Sequence, residues 1–317
     1  MKTSILRTAM DTTLTLLLLL GGGLACRKAK TQVDPYRNQG GPELLARAEV
    51  YLQNGKWAEG RKMLRSIEER LPSSPEFPKA KLLIADSFFY ASGNAYPEAI
   101  VEYKSYLNYF PRSEMRDYAL YRIALCHFAS IENAERDQAE TRKAMAAFQD
   151  LLREAPGSVY AVDAKAKITQ CWRRLAESEL MVGIFYVNNF NYGPAERRLK
   201  DLLETYPDYV DRERAYFFLA EALRKKGLTP GEVRAFQKEY LAKHDKDELG
   251  DLTKAELAQY KAELEQYRQD ESSRSRLEAR SYYQKLVESY PTSPWAVRAS
   301  DRLVEMGQTG LKEELDS

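Results

Sequence analysis

Residues 144–168 read AMAAFQDLLREAPGSVYAVDAKAKI, and this stretch decides the fold. Pro156 stands at its centre, and the same arrangement recurs around Pro72, Pro111, Pro207 and Pro291. Twelve residues before each proline is a small residue: Gly60, Ala99, Ala144, Ala195 and Ala279. Five before it is a bulky one: Ile67, Tyr106, Leu151, Leu202 and Leu286. Eight after it is alanine: Ala80, Ala119, Ala164, Ala215 and Ala299. Twelve after it is Ile84, Ile123, Ile168, Leu219 or Leu303. Serine follows the proline by two at Ser74, Ser113, Ser158 and Ser293.

Each residue type has a physical reason. The small residue lets two antiparallel helices approach closely. The proline ends the second helix, because its ring and missing N–H cannot continue the hydrogen-bond ladder. Serine two residues on suits the cap of the next helix. The alanine falls where that next helix packs on its neighbour. A helix pair of this kind cannot bury its apolar face alone, so the units must stack. An in-register repeat is the signature of such an array.

The pattern resembles the tetratricopeptide repeat, including an aromatic residue fifteen before the proline at Trp57, Tyr96 and Tyr192. The fold class it predicts is all-α, a tetratricopeptide-like helical repeat solenoid of about five units. Helices are expected near 43–53, 57–70, 76–91, 97–109, 115–130, 138–154, 194–205, 212–226, 276–289 and 295–306. Residues 160–189 read as one long helix or two in tandem, with Gly183 the weak point.

The N-terminus reads as an address. Lys2 and Arg7 precede an apolar run, Leu14 to Leu20, then Gly21-Gly22-Gly23-Leu24-Ala25 and Cys26. A basic end, a short apolar core and small residues before the break make a secretory signal peptide. The run is far short of the roughly 20 residues that span a bilayer. A cysteine at this position resembles the lipobox of bacterial lipoproteins, which implies that Cys26 becomes the lipidated N-terminus. Arg27, where inner-membrane lipoproteins tend to have Asp, implies the outer membrane, on its periplasmic side. Stable attachment takes two acyl chains or more, at roughly 0.8 kcal/mol per buried CH₂. The organisation expected is therefore a signal peptide over 1–25, lipidated Cys and polar tether over 26–42, and repeat units over 43–227. A charged helical insertion over 228–275, a final unit over 276–306 and a polar tail over 307–317 complete it.

The insertion explains why Pro207 and Pro291 lie 84 residues apart. It opens with Thr229-Pro230-Gly231-Glu232, a turn and a helix start, and is dense in charge. Leu257, Tyr260, Leu264 and Tyr267 form a narrow apolar stripe at helical spacing. That stripe either folds against its own repeat or docks a partner.

Composition excludes several functions. Without residues 1–25, which hold Lys2, Arg7 and Asp11, 46 Lys and Arg face 46 Asp and Glu. A near-neutral chain gives no basic surface for nucleic acid. His127 and His244 are the only histidines. His127 adjoins Cys126 in one helix, where neighbours do not share a face, so no Cys/His nucleophile pair forms. No set of ligands with zinc spacing exists, and no glycine-rich phosphate loop, so neither an enzyme nor a metal or other cofactor is expected. Cys126 and Cys171 both lie fifteen residues after their prolines. Equivalent positions on stacked helices are roughly 8–10 Å apart, too far for a disulfide.

Signal, tether and repeats together resemble the BamD family, lipoproteins of the outer-membrane β-barrel assembly machinery. Residues 43–225 carry the likeness, most clearly in 144–168 and in ERRLKDLLETYPDY; the insertion departs from it. The resemblance implies a scaffold that binds the POTRA domains of a BamA-like barrel subunit and the C-terminal strand of unfolded outer-membrane proteins. The alternative is another periplasmic repeat lipoprotein, linked to cell-wall or division machinery. On the inner face of the array, Asp86, Phe89 and Tyr90 share one helix face, and Tyr121, Leu125 and Phe128 share another. An aromatic, carboxylate-ended strand would suit these walls, with Arg122 as the nearest cation for the carboxylate; the other reading is that the rings fill helix seams.

Overall fold

The computed structural model describes residues 35–315 apart from Ser92 and Asn94, with side chains through Gly307. The signal peptide, Cys26 and the first part of the tether lie outside the described residues. Twelve α-helices are described: α1 Gly41–Gln53, α2 Trp57–Arg70, α3 Phe77–Phe89, α4 Tyr96–Tyr109, α5 Arg116–Ala129 and α6 Ala139–Glu154. There follow α7 Ala161–Asn188, α8 Tyr192–Thr205, α9 Arg212–Lys225, α10 Pro230–Lys243, α11 Lys254–Ser289 and α12 Pro294–Leu315. Successive helices from α1 to α9 pack on one another, and α9 then packs on α11 and α12 rather than on α10. The protein is an all-helical, tetratricopeptide-like array.

The repeat positions are where its core lies. Ala99, Ala144, Ala195 and Ala279 are fully buried, as are all five alanines eight after the prolines. Gly60 is closed in by Leu52, whose Cδ2 would lie 2.7 Å from an added Cβ. The proline linkers share one conformation. The serine N–H bonds to the carbonyl three residues back, and its carbonyl accepts from three residues on, at Ser74, Ser113, Ser158 and Ser293 alike. Ser113, Ser158 and Ser293 Oγ also accept from the N–H two residues ahead. At Ser113 and Ser158 the side chain thus shapes the turn just before the helix. The N-caps themselves are Met115 and Tyr160, with no side-chain cap.

Residues 161–188 form one helix. Gly183 is no break in it: an added Cβ would lie 2.5 Å from Leu199 Cδ2, so the glycine lets α8 sit close. The first half of α7 shares a core with α5 and α6 through Ala164, Ile168 and Cys171. Its second half shares one with α8, α9, α11 and α12 through Leu180, Ile184 and Val187. In that second core Glu221 is buried. Its carboxylate accepts from Tyr283 Oη at 2.6 Å and Arg302 Nε at 2.8 Å, and pairs with Arg224 and Lys225. Burial opposes its ionisation, but Arg224 and Tyr283 prevail and hold its pKa down at about 2.

The segment between α9 and the last unit is a helical hairpin. Thr229 and Glu232 form a capping box at the start of α10, and Thr253 and Glu256 do so for α11. α11 is continuous across 275–276, so the insertion and the last unit share one helix of 36 residues.

The turn into α8 carries a strained residue. Gly55, two before Trp57, has φ +71°; the equivalent position before Tyr192 is Phe190, with φ +61° and 78% of its surface exposed. A left-handed conformation costs a side-chain-bearing residue roughly 1–2 kcal/mol. Phe190→Gly should therefore raise unfolding free energy by about 1 kcal/mol in urea titrations; a loss of stability would mean that the ring packs in the fold.

Both internal cysteines are free and buried. Burial pushes the Cys126 thiol up to about 12 and the Cys171 thiol up to about 11. Native protein should react slowly with a thiol reagent at pH 8, and denatured, unreduced protein lacking Cys26 should count two thiols; a count of zero would contradict this packing.

Candidate functional site: an aromatic ledge on the first units

α3 and α5 are successive first helices of their units, and their facing residues meet in one cluster. Tyr118 Oη donates to Asp86 Oδ1 at 2.8 Å, and the Tyr103 hydroxyl donates to the same oxygen. Arg122 Nε donates to Tyr118 Oη at 2.8 Å, a second guanidinium nitrogen donates to Tyr90 Oη, and Nε lies 3.9 Å from Asp86. The guanidinium lies 4.4 Å from the Phe89 ring centroid, 4.7 Å from Tyr90 and 5.0 Å from Tyr118. Cation–π contacts of this kind are worth roughly 0.5–2 kcal/mol each, more when desolvated. Burial raises the Asp86 pKa, against the hydroxyl donors and the Arg122 charge. Burial alone would lower that of Arg122, but its bonds to Tyr90 and Tyr118 raise it.

This geometry corrects one expectation. Arg122 is 9% exposed, and its donors serve Tyr90 and Tyr118. It braces the ledge from beneath instead of presenting an open cation to a carboxylate. Asp86 likewise belongs to the brace. What faces outward is Tyr90, 50% exposed, stacked on Trp57 at 5.9 Å and set edge-on to Phe89 at 5.1 Å. Phe89 in turn meets Tyr96 at 5.8 Å. Trp57 and Tyr96 entered the sequence reading as repeat markers; their aromatic identity at one position of successive units is the signal that they also share a ledge.

Tyr121, Leu125 and Phe128 lie elsewhere. They pack on the core of α5, α6 and α7. Tyr121 stacks on Tyr160 at 4.5 Å and donates to Asp163 at 2.7 Å, and Phe128 meets Phe148 edge-on. These three fill a seam, so the residues drawn from α3 and α5 divide into two groups facing different neighbours.

The stripe at Leu257, Tyr260, Leu264 and Tyr267 folds against its own chain. Tyr260 is 5% exposed and lies between Phe236 and Tyr240 of α10, and Tyr267 stacks on Phe236 at 5.0 Å. Leu257 and Leu264 are half-buried on the same side. The hairpin closes on its own apolar residues, so a partner would find charge there rather than a greasy stripe.

Residues 39–239 match the family described as outer membrane lipoprotein, YfiO. The chain belongs to that family. Residues 257–293 match the tetratricopeptide repeat. The outer membrane protein assembly factor BamD of Caulobacter vibrioides is 31% identical over 63% of this chain and 65% of its own length. That of Vibrio cholerae is 28% identical over 62% of this chain and 84% of its own. The solved P58(IPK) TPR domain is 15% identical over 84% of this chain and 66% of its own, at a TM-score of 0.35, too low to add to the fold seen directly. The family match takes in α1 to α9 and most of α10, and therefore the ledge.

Removing the brace should reveal its role. Arg122→Met leaves Asp86 buried without its cation, a loss of up to roughly 3–5 kcal/mol. The Asp86 carboxyl already has a raised pKa, so the penalty applies above that pKa and shrinks as falling pH protonates it. Tyr90→Ser, half-exposed, should change stability by less than about 1 kcal/mol. Urea melts at pH 7.5 and pH 5 check both; an Arg122→Met deficit that does not shrink at the lower pH would remove Asp86 from the account.

Proposed function

We propose that this chain is a lipid-anchored scaffold of outer-membrane protein assembly, held by Cys26 on the periplasmic side of the outer membrane. Its first units receive the C-terminal strand of unfolded barrel proteins, and its later units bind a BamA-like barrel subunit through POTRA domains. The observation that carries the reading is the ledge: Tyr90 half-exposed over Trp57, with Phe89 beside it and a buried Arg122 beneath. Rings fixed in this way offer an apolar wall to an aromatic side chain at little entropic cost, and each favourable pair adds about 0.5–1.5 kcal/mol beyond area burial. Family membership over residues 39–239 and the relatives' name as assembly factors support the same reading. The Cys26 sequence context supports the anchor.

The reading has a direct test. Tyr90→Ser should weaken binding of a synthetic barrel C-terminal peptide tenfold or more, while the melting temperature moves by only a few degrees. Cys26→Ser should release the protein from membranes or block its processing. Affinity purification of the wild-type protein from solubilised membranes should recover a large barrel protein with POTRA domains. Unchanged peptide affinity would move the strand site off the ledge, and recovery of cell-wall or division proteins instead would replace the reading.

A further inference from the structure

The repeat register sets two positions of a unit against each other. The residue five after one proline meets the residue two before the next. In the unit of α3 and α4 these are Phe77 and Tyr109, edge-on at 5.6 Å. In the unit of α5 and α6 they are Arg116 and Glu154, which form an ion pair. Asp150, one turn before Glu154, holds Arg153 at 2.6 Å. In the unit of α9 and α11 the same positions are Arg212 and Ser289, and Lys285 stands in the place of Asp150. One acid has become a serine and the other a cation, while the arginine has stayed.

Without that acid, Arg212 turns to neutral groups. One guanidinium nitrogen donates to Tyr216 Oη at 2.9 Å and another to the Pro207 carbonyl. The Lys285 ammonium stands 5.1 Å from the centroid of the same Tyr216 ring, and the Tyr290 ring lies 6.3 Å from it. Two cations thus converge on one phenol. Burial opposes ionisation of Tyr216, yet Arg212 and Lys285 prevail and hold its pKa below the ordinary value. Burial alone would lower the Arg212 pKa; Tyr216 and Tyr290 raise it, and no carboxylate is among the groups acting most strongly on it. Asp211 pairs with Arg214 at 3.7 Å. Asp208, Glu213 and Glu288 form no ion pair with Arg212 or Lys285 among the described residues. Elsewhere in this chain converging cations share an acid. Arg65 and Lys81 share Glu68 and Glu102, Lys200 and Lys226 share Glu196, and Arg224, Lys225 and Arg302 share Glu221.

We propose that Arg212 and Lys285 form a clamp for a carboxylate side chain of a partner protein, docked at the position that Glu154 holds in the α5–α6 unit. Guanidinium and ammonium both donate to it in charge-assisted bonds. A guanidinium has five N–H donors, so those engaged by Tyr216 and Pro207 leave others for the carboxylate. Their bonds also hold the fork in place, so little freedom is lost when the acid arrives. Lys285 and Tyr290 lie beyond the family match, which ends at residue 239. The clamp is separate from the ledge and does not rest on the assembly reading.

Fluorescence anisotropy at low salt tests the clamp, with the mature chain in neutral detergent and two labelled, end-blocked peptides, tetraglutamate and tetraglutamine. Blocked ends keep the terminal carboxylate of a barrel strand out of the comparison. Tetraglutamate should bind and tetraglutamine should not. Ser289→Glu restores the acid of the α5–α6 unit within the chain. It should raise the melting temperature and weaken tetraglutamate about tenfold, because its own carboxylate takes the charge-assisted bonds. Ser289→Gln should change neither. Lys285→Gln, at an exposed position, should weaken tetraglutamate about fivefold with an unchanged melt. Equal binding of the two peptides, an affinity that either Ser289→Glu or Lys285→Gln leaves unmoved, or inorganic phosphate binding more tightly than tetraglutamate would overturn the proposal. None of those outcomes bears on the ledge or on Cys26.

Discussion

The close approach of paired helices at one small residue is the constraint on which the array depends. Gly60, Ala99, Ala144, Ala195 and Ala279 are all buried where two antiparallel helices meet, and Leu52 shows at Gly60 how little room is left. A larger side chain there would part the helices, and each unit's bulky residues would lose the neighbour that covers them. Interiors are packed at crystal-like density, so a separation of one methylene is felt across the contact. Ile67, Tyr106, Leu151, Leu202 and Leu286 are buried because this approach holds.

α7 interrupts that regularity without breaking the chain's stacking. Gly183 reproduces the close approach inside its second half, against Leu199, and so recruits α8 about four turns beyond the point where a regular unit would place it. One core ends at Cys171 and another begins at Leu180. The step between them leaves Val162 and Trp172 of α7 exposed. A single long helix therefore both joins two half-arrays and creates the relief on their surface.

Buried charge ties the units where apolar packing alone would allow sliding. Lys81 joins Glu68 and Glu102 across α2, α3 and α4 at 2.6 and 3.1 Å. Arg122 and Asp86 tie α3 to α5, and Glu221 ties α9 to α11 and α12. Such groups add little net stability compared with apolar replacements, but each fixes a register, because a slipped helix would leave an ion buried and unpaired. At the ledge this register holds Tyr90 and Phe89 against the Arg122 guanidinium.

The sequence by itself determined the helices, their order and the residues at their contacts. Proline, the small residue and the bulky residue act over one or two turns, and their spacing survives in the chain without knowledge of its neighbours. It also showed that Cys126 and Cys171 stand at equivalent positions, and the structure finds both free. The tertiary structure alone decided where side chains on a shared helix point across the array. Arg122 and Tyr121 are adjacent in α5, yet one turns to α3 and the other to α7, because the first helix of a unit touches both the unit before and the unit after. The same limit applied to the stripe at Tyr260: its 3-4-3 spacing marks a face to be covered, and only folding shows that α10 covers it. The offset at α7 was hidden for a related reason. Periodicity reports that a helix is long, but which half pairs with which neighbour depends on contacts between residues far apart in the chain.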